Sequence, residues 1–104
     1  MGTKLMDQYS YLHFAVGIVV YFWGVSLKNW LIIHIIFEIL ENTKIGMHFI
    51  NSTLGGYWPG GKTYPDSTTN ILGDNIFAAL GWISAYYLDK LGSKYKWYDP
   101  HIIL

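Results

Sequence analysis

Two glutamates lie in a stretch of sequence that is otherwise almost entirely apolar. Glu38 and Glu41 belong to the segment WLIIHIIFEILE, residues 30–41, and His34 precedes Glu38 by four positions. At about 100° per residue, these three side chains fall on one face of a helix. Acids in such a segment face a protein interior or a wet cavity, because charge is costly among hydrocarbon groups. The acidic face therefore predicts where the chemistry of this protein lies.

A second polar stripe occurs later in the chain. Asp66, Asn70 and Asp74 recur at every fourth position, and the stripe continues as the small residues Ala78, Gly81 and Ala85. Small residues let helices approach closely, so we expect this face to pack against the helix that contains the glutamates. The rise per residue places side chains from three helices at one level. The predicted polar cluster comprises His13, His34, Glu38, Glu41, Asn42, Asp66, Asn70 and Asp74.

Three kinds of chemistry are open to this cluster. Carboxylates that lie close together in a low dielectric either share a proton or bind a cation. Glu41, Asn70 and Asp74 offer carboxylate and amide oxygens, a ligand set suited to a divalent cation. Alternatively, Glu38 or Glu41 acts as a general base. In the third interpretation, neutral carboxyl and amide groups only join the helices by hydrogen bonds.

Three long apolar segments position these residues. They predict an all-α fold of three helices, over about residues 8–27, 29–50 and 66–91. Residues 51–65 are rich in glycine and proline and predict a loop between the second and third helices. The tail, residues 92–104, is rich in lysine and tyrosine and is predicted to lie along an interface. We expect a single domain over residues 1–104.

The composition favours a membrane protein. Of the 104 residues, 52% are hydrophobic and 13% are charged, against about 25% charged in an average soluble domain. We therefore predict an integral membrane three-helix bundle, with a multi-pass membrane location; a soluble three-helix domain is the competing interpretation. The chain contains no cysteine, which excludes disulfides and thiolate ligands. All seven basic residues are lysines, without a basic patch, so nucleic acid is not expected as a partner.

Two motifs together resemble a known family. The segments Glu38-Ile-Leu-Glu41-Asn42 and Asp66-Ser67-x-x-Asn70-x-x-x-Asp74 are similar to motifs of uncharacterised small bacterial membrane proteins in the VanZ-like group. His13 resembles an early histidine of that family, and the match covers about residues 9–86. The resemblance implies a membrane protein and leaves its activity open. This chain is shorter than the relatives, as a truncated viral or eukaryotic relative would be.

These observations predict a structural or anchoring role in a membrane assembly, with a buried polar cluster that holds the helices together and could bind a cation. The expected partners are the lipid bilayer and either a second copy of the chain or another membrane or capsid protein. A VanZ-like membrane enzyme or lipid-headgroup binder that uses the intramembrane carboxylates is the first alternative. A component of a virion membrane is the second.

Overall fold

The computed structural model describes residues 3–53 and 65–97, which form four helices. Helix α1 spans Gln8–Phe22, α2 spans Leu27–Glu41, α3 spans Lys44–Thr53 and α4 spans Thr68–Lys94. The all-α prediction is confirmed, but the prediction of three helices is wrong. The predicted loop falls mostly on residues 54–64 and the end of the predicted tail on residues 98–104, and both lie outside the described residues.

Short polar side chains determine where the helices begin. Asp7 caps α1, because its Oδ1 accepts from the backbone N–H groups of Tyr9 and Ser10 at 2.9 and 3.2 Å. The Ser10 hydroxyl oxygen accepts in return from the Asp7 N–H at 2.9 Å, which completes a capping box. Ser26 and Ser67 cap α2 and α4 in the same way. The predicted start of the last helix near residue 66 is thus within two residues of the observed one.

The second predicted helix is divided in two at Asn42 and Thr43. Thr43 Oγ1 accepts from the Gly46 N–H at 3.0 Å, as a cap does at the start of a helix, and it donates to the Leu40 carbonyl at 2.7 Å. The Asn42 side-chain nitrogen donates to the Glu38 carbonyl at 2.7 Å, and its oxygen accepts from the Asp66 N–H at 2.7 Å. Side chains that bond to nearby backbone therefore end α2, start α3 and join α2 to the segment before α4.

Helix α4 is the element against which α1 and α2 pack. A Cβ built at Gly81 would lie 1.9 Å from the Phe14 carbonyl oxygen, and one at Gly17 would lie 2.3 Å from the Ala78 oxygen. Only glycine permits so close an approach of two helices. The Trp30 indole of α2 donates to the Ala78 carbonyl at 3.0 Å, so α2 also contacts α4 at this point. The small part of the predicted stripe therefore packs closely against α1 and accepts one hydrogen bond from α2, and its polar part contacts both helices.

The membrane predictions are wrong. None of the described helices combines the length and the apolar composition needed to cross a bilayer. Helices α1 and α2 have 15 residues each, about 22 Å, against about 30 Å of hydrocarbon. Helix α4 is longer, but polar residues from Asn70 to Lys94 interrupt it. These findings overturn the integral membrane three-helix bundle, the multi-pass location, the anchoring role in a membrane assembly and the virion-membrane alternative.

Candidate metal centre

His34 is held in one tautomer by Asn75. The Asn75 side-chain nitrogen donates to the Ile71 carbonyl one turn earlier in α4, at 3.0 Å. Since a carbonyl oxygen only accepts, this bond turns the Asn75 amide oxygen toward His34, whose Nδ1 lies 2.7 Å away. Nδ1 must therefore be the protonated nitrogen of His34. In the neutral ring, Nε2 then presents a lone pair to the interior of the protein.

Burial keeps the His34 imidazole neutral. Its side chain is 3% exposed, and burial lowers its pKa below the usual value of 6.5. The hydrogen bond with Asn75 raises this pKa, His13 lowers it and Asp74 raises it, each by less than the burial does. At neutral pH, His34 thus has the protonation state that metal coordination requires.

His13 approaches the lone pair of His34 from α1. Its Nδ1 lies 2.8 Å from His34 Nε2, and the two rings meet edge to face. Because His34 Nε2 has no hydrogen, the proton in this contact belongs to His13 Nδ1. The other ring nitrogen of His13, Nε2, lies 3.3 Å from Asp74 Oδ2 on α4. One imidazole thus connects α1 to a histidine on α2 and to an acid on α4.

Glu38 completes a set of three potential ligands. Its Oε1 lies 3.6 Å from His13 Nδ1 and 3.6 Å from His34 Nε2. Tetrahedral coordination with bonds of 2.0–2.1 Å separates neighbouring ligand atoms by about 3.3 Å, and octahedral coordination separates them by about 2.9 Å. The observed separations of 2.8, 3.6 and 3.6 Å bracket these values. This buried group of two histidines and a glutamate could hold a metal ion.

A second group of potential ligands shares Glu38 with the first. One carboxylate oxygen from each of Glu38, Glu41, Asp66 and Asp74 lies within 4.8 Å of the others. Glu38, Glu41 and Asp74 are 1%, 5% and 2% exposed, and Asp66 is half-buried. Within the described ranges, Asp74 Oδ1 has no hydrogen-bond partner although it is buried. Unsatisfied buried polar atoms are uncommon in folded proteins and indicate a missing ligand or a functional strain.

The predicted cluster is divided between this centre and the helix ends. His13, His34, Glu38, Glu41, Asp66 and Asp74 lie in the two ligand groups. Asn70, which we expected to bind a cation with Glu41 and Asp74, instead donates to the Lys4 carbonyl at 2.7 Å and to Asp7 Oδ2 at 3.1 Å. Its amide therefore holds the segment before α1 against α4. The Asn42 side chain joins the end of α2 to the segment before α4, because its oxygen accepts from the backbone N–H of Asp66.

A small apolar cavity borders the histidine pair. It has a volume of about 170 Å³ and is lined by Leu12, His13, Val16, Trp30, Ile33, His34 and Phe37 of α1 and α2. Its accessible surface is apolar throughout, including the parts of the two imidazole rings that line it. The cavity therefore has room for a molecule the size of a few waters beside the two rings.

Asn75 is the functional residue that the sequence did not reveal. It lies next to Asp74, one position outside the stripe of every fourth residue, and a single asparagine in a helix has no distinctive signal. Its one signal is the position four residues after Ile71, where an asparagine side chain can reach the backbone carbonyl of the preceding turn. That bond leaves the amide oxygen free to orient a neighbouring imidazole.

Comparisons with known proteins do not assign this chain to a group. No family model matches it, and no curated protein and no solved structure matches it either. The resemblance to the VanZ-like group therefore stays a prediction.

Proposed function

We propose that this protein binds a divalent transition-metal ion between His13, His34 and Glu38. The observation on which the proposal depends is the convergence of two ring nitrogens and a carboxylate oxygen, separated by 2.8–3.6 Å, in a buried place. Two imidazoles and one carboxylate suit borderline cations such as Zn(II), Fe(II), Mn(II) or Co(II). Three protein ligands also leave at least one coordination position for a water or another small ligand.

The neighbours of the three ligands support the proposal. Ligating histidines usually donate their second ring N–H to a carboxylate or carbonyl, which fixes the ring and raises its basicity. His34 has such a partner in Asn75, at 2.7 Å. His13 has another in Asp74, at 3.3 Å, once its proton moves from Nδ1 to Nε2. The metal would replace the single proton between the two rings.

An apolar cavity lies beside the proposed site. Its wall includes the rings of both histidines together with Trp30, Ile33 and Phe37. An apolar lining favours a small neutral ligand over an ion and strengthens electrostatic interactions at the metal.

Titration of metal-free protein with Co(II) tests the proposal. We expect visible absorption bands from nitrogen and oxygen coordination, and displacement of Co(II) by Zn(II). His34→Ala should weaken Co(II) binding by about 100-fold or more, since loss of an outer-shell partner alone costs 10–100-fold. His48→Ala is the matched control, because His48 is exposed on α3 and should bind as the wild type does.

Two results would contradict the proposal. Wild-type protein that shows no saturable binding of Co(II), Zn(II) or Mn(II) would leave the histidines as a hydrogen-bonded core. A His34→Ala variant that keeps its helical circular dichroism and binds as tightly as the wild type would place the metal elsewhere.

A further inference from the structure

We infer that the site holds two cations, which share Glu38 as a bridging ligand; this inference rests on the proposed function. The first cation occupies the group of His13, His34 and Glu38. The second occupies the carboxylates of Glu38, Glu41, Asp66 and Asp74. Glu38 belongs to both groups, and a carboxylate can give one oxygen to each of two metals.

The second group has the dimensions of a site for a hard cation. Its four oxygens lie within 4.8 Å of one another. Ions with bonds of 2.3–2.6 Å to oxygen have opposite ligands about 4.6–5.2 Å apart, so little movement is needed to surround one. A set made only of carboxylates suits Mn(II), Mg(II) or Ca(II) better than it suits the softer metals.

Asp74 points to a ligand independently of the clustering of acids. Its side chain is 3% exposed, and its two oxygens have different surroundings. Oδ2 faces His13 Nε2 at 3.3 Å, whereas Oδ1 is buried without a hydrogen-bond partner in the part of the chain described here. A buried carboxylate oxygen that lacks a donor loses its solvation unless a cation replaces it. The second cation would take the place of the missing donor at Oδ1, while Oδ2 still orients His13.

The charges of the centre favour two cations over one. Four carboxylates and two neutral imidazoles have a formal charge of −4 when the acids are ionised. One divalent ion reduces this charge to −2, and two reduce it to zero. Because Glu38, Glu41 and Asp74 are at most 5% exposed, residual charge among them is expensive. Paired metals in proteins are typically about 3.5–4 Å apart, a separation that one bridging carboxylate spans.

Mn(II) binding tests the inference, because Mn(II) accepts both ligand sets and is paramagnetic. We expect the wild type to retain two Mn(II) per chain after gel filtration and to show the low-temperature EPR spectrum of an exchange-coupled pair. Asp66→Asn should retain one Mn(II) without coupling, and so should His13→Gln. Glu38→Gln should weaken both sites by at least about 10-fold. Asp89→Asn, which changes an acid about 22 Å further along α4 than Asp74, is the matched control and should retain both ions.

The outcomes separate this inference from the proposed function. A single wild-type ion that His13→Gln removes and Asp66→Asn leaves would overturn the second site and leave the first. A single ion that Asp66→Asn removes and His13→Gln leaves would overturn both the pair and the histidine site. Two ions without coupling, or two ions that Glu38→Gln leaves in place, would contradict the bridge. No bound Mn(II) in the folded wild type would contradict the whole scheme.

Discussion

Glu38→Gln should make the metal-free protein more stable. Glu38 is 1% exposed, and one of its oxygens lies within 4.8 Å of an oxygen from each of Glu41, Asp66 and Asp74. Two ionised groups no more than 4.8 Å apart repel by at least about 3.5 kcal/mol at an effective dielectric constant of 20. Sharing of protons among the acids reduces this repulsion without removing it. We therefore expect the neutral amide to raise the free energy of unfolding by about 1–3 kcal/mol.

The same substitution should remove most of the stabilisation by metal. A cation that binds only the folded protein stabilises it by about 2.7 kcal/mol at a concentration 100-fold above its Kd. The wild type should gain this amount, whereas Glu38→Gln lacks the shared ligand and should gain much less. Glu38→Gln should therefore be more stable than the wild type in the presence of chelator. This difference in stability should disappear when metal is in excess. A glutamate that only packs and bonds in the core would show neither change.

Urea unfolding followed by far-UV circular dichroism measures both effects. Each protein is unfolded in EDTA and again with excess Zn(II), and the free energies are extrapolated to water. Asp89→Asn is the control for acid-to-amide replacement on a helix, because Asp89 accepts from the Tyr21 hydroxyl far from the site and asparagine can also accept. If metal-free Glu38→Gln is less stable than the wild type by more than about 1 kcal/mol, its carboxyl is a net stabilising hydrogen-bond partner and the reasoning fails.

Three further predictions concern the surroundings of the site. Asn75→Ala should weaken metal binding by about 10–100-fold in a Co(II) titration, whereas Asn29→Ala, an exposed position on α2, should have no effect. Gly81→Ala should destabilise the fold by about 1–3 kcal/mol in urea, because its Cβ would overlap the Phe14 carbonyl oxygen; unchanged stability would refute that contact. Since the folded pKa of His34 is lowered, the unfolded chain binds an extra proton below pH 6.5, so metal-free protein should lose up to about 1.4 kcal/mol per pH unit there, and a His34→Gln variant should lose less.

The polar pattern of the sequence predicted which residues form the centre more accurately than it predicted how these residues are arranged. The spacing of His34, Glu38 and Glu41 depends only on helical geometry, so the sequence alone placed them on one face. Their partners depend on how α1 lies against α4. The rise per residue predicted only that side chains from three helices lie at one level, whereas the structure shows that His13 contacts His34 and Asp74. The close approach at Gly17, which determines the level of α1, has no local signal in the sequence.

The hydropathy of the sequence led to the wrong prediction of membrane-spanning helices for a related reason. Helix α2 buries Trp30, His34, Glu38 and Glu41 and leaves isoleucine and leucine at positions 32, 33, 35, 36, 39 and 40 between 47% and 62% exposed. An average along the chain registers the apolar side chains but not the side of the helix on which they lie. The average also ignores the caps. Asn42 and Thr43 end this helix after 15 residues, too early for the span that its composition predicted.

Because this apolar face of α2 is exposed, its side chains contribute little hydrophobic stabilisation to the interior of the protein. Among the described residues, five hydrophobic side chains are buried, namely Val20, Trp30, Ile50, Ala78 and Ala85, against six polar ones, namely Ser10, His34, Glu38, Glu41, Asn70 and Asp74. Ser10 and Asn70 have backbone partners, so their burial costs little. The oxygens of Glu38, Glu41 and Asp74 lie within 4.8 Å of one another, so these acids repel one another when they are ionised, and Asp74 Oδ1 has no donor among the described residues. Cations that bind these acids would turn the most unfavourable part of the core into a favourable one, and binding should therefore be strongly coupled to folding.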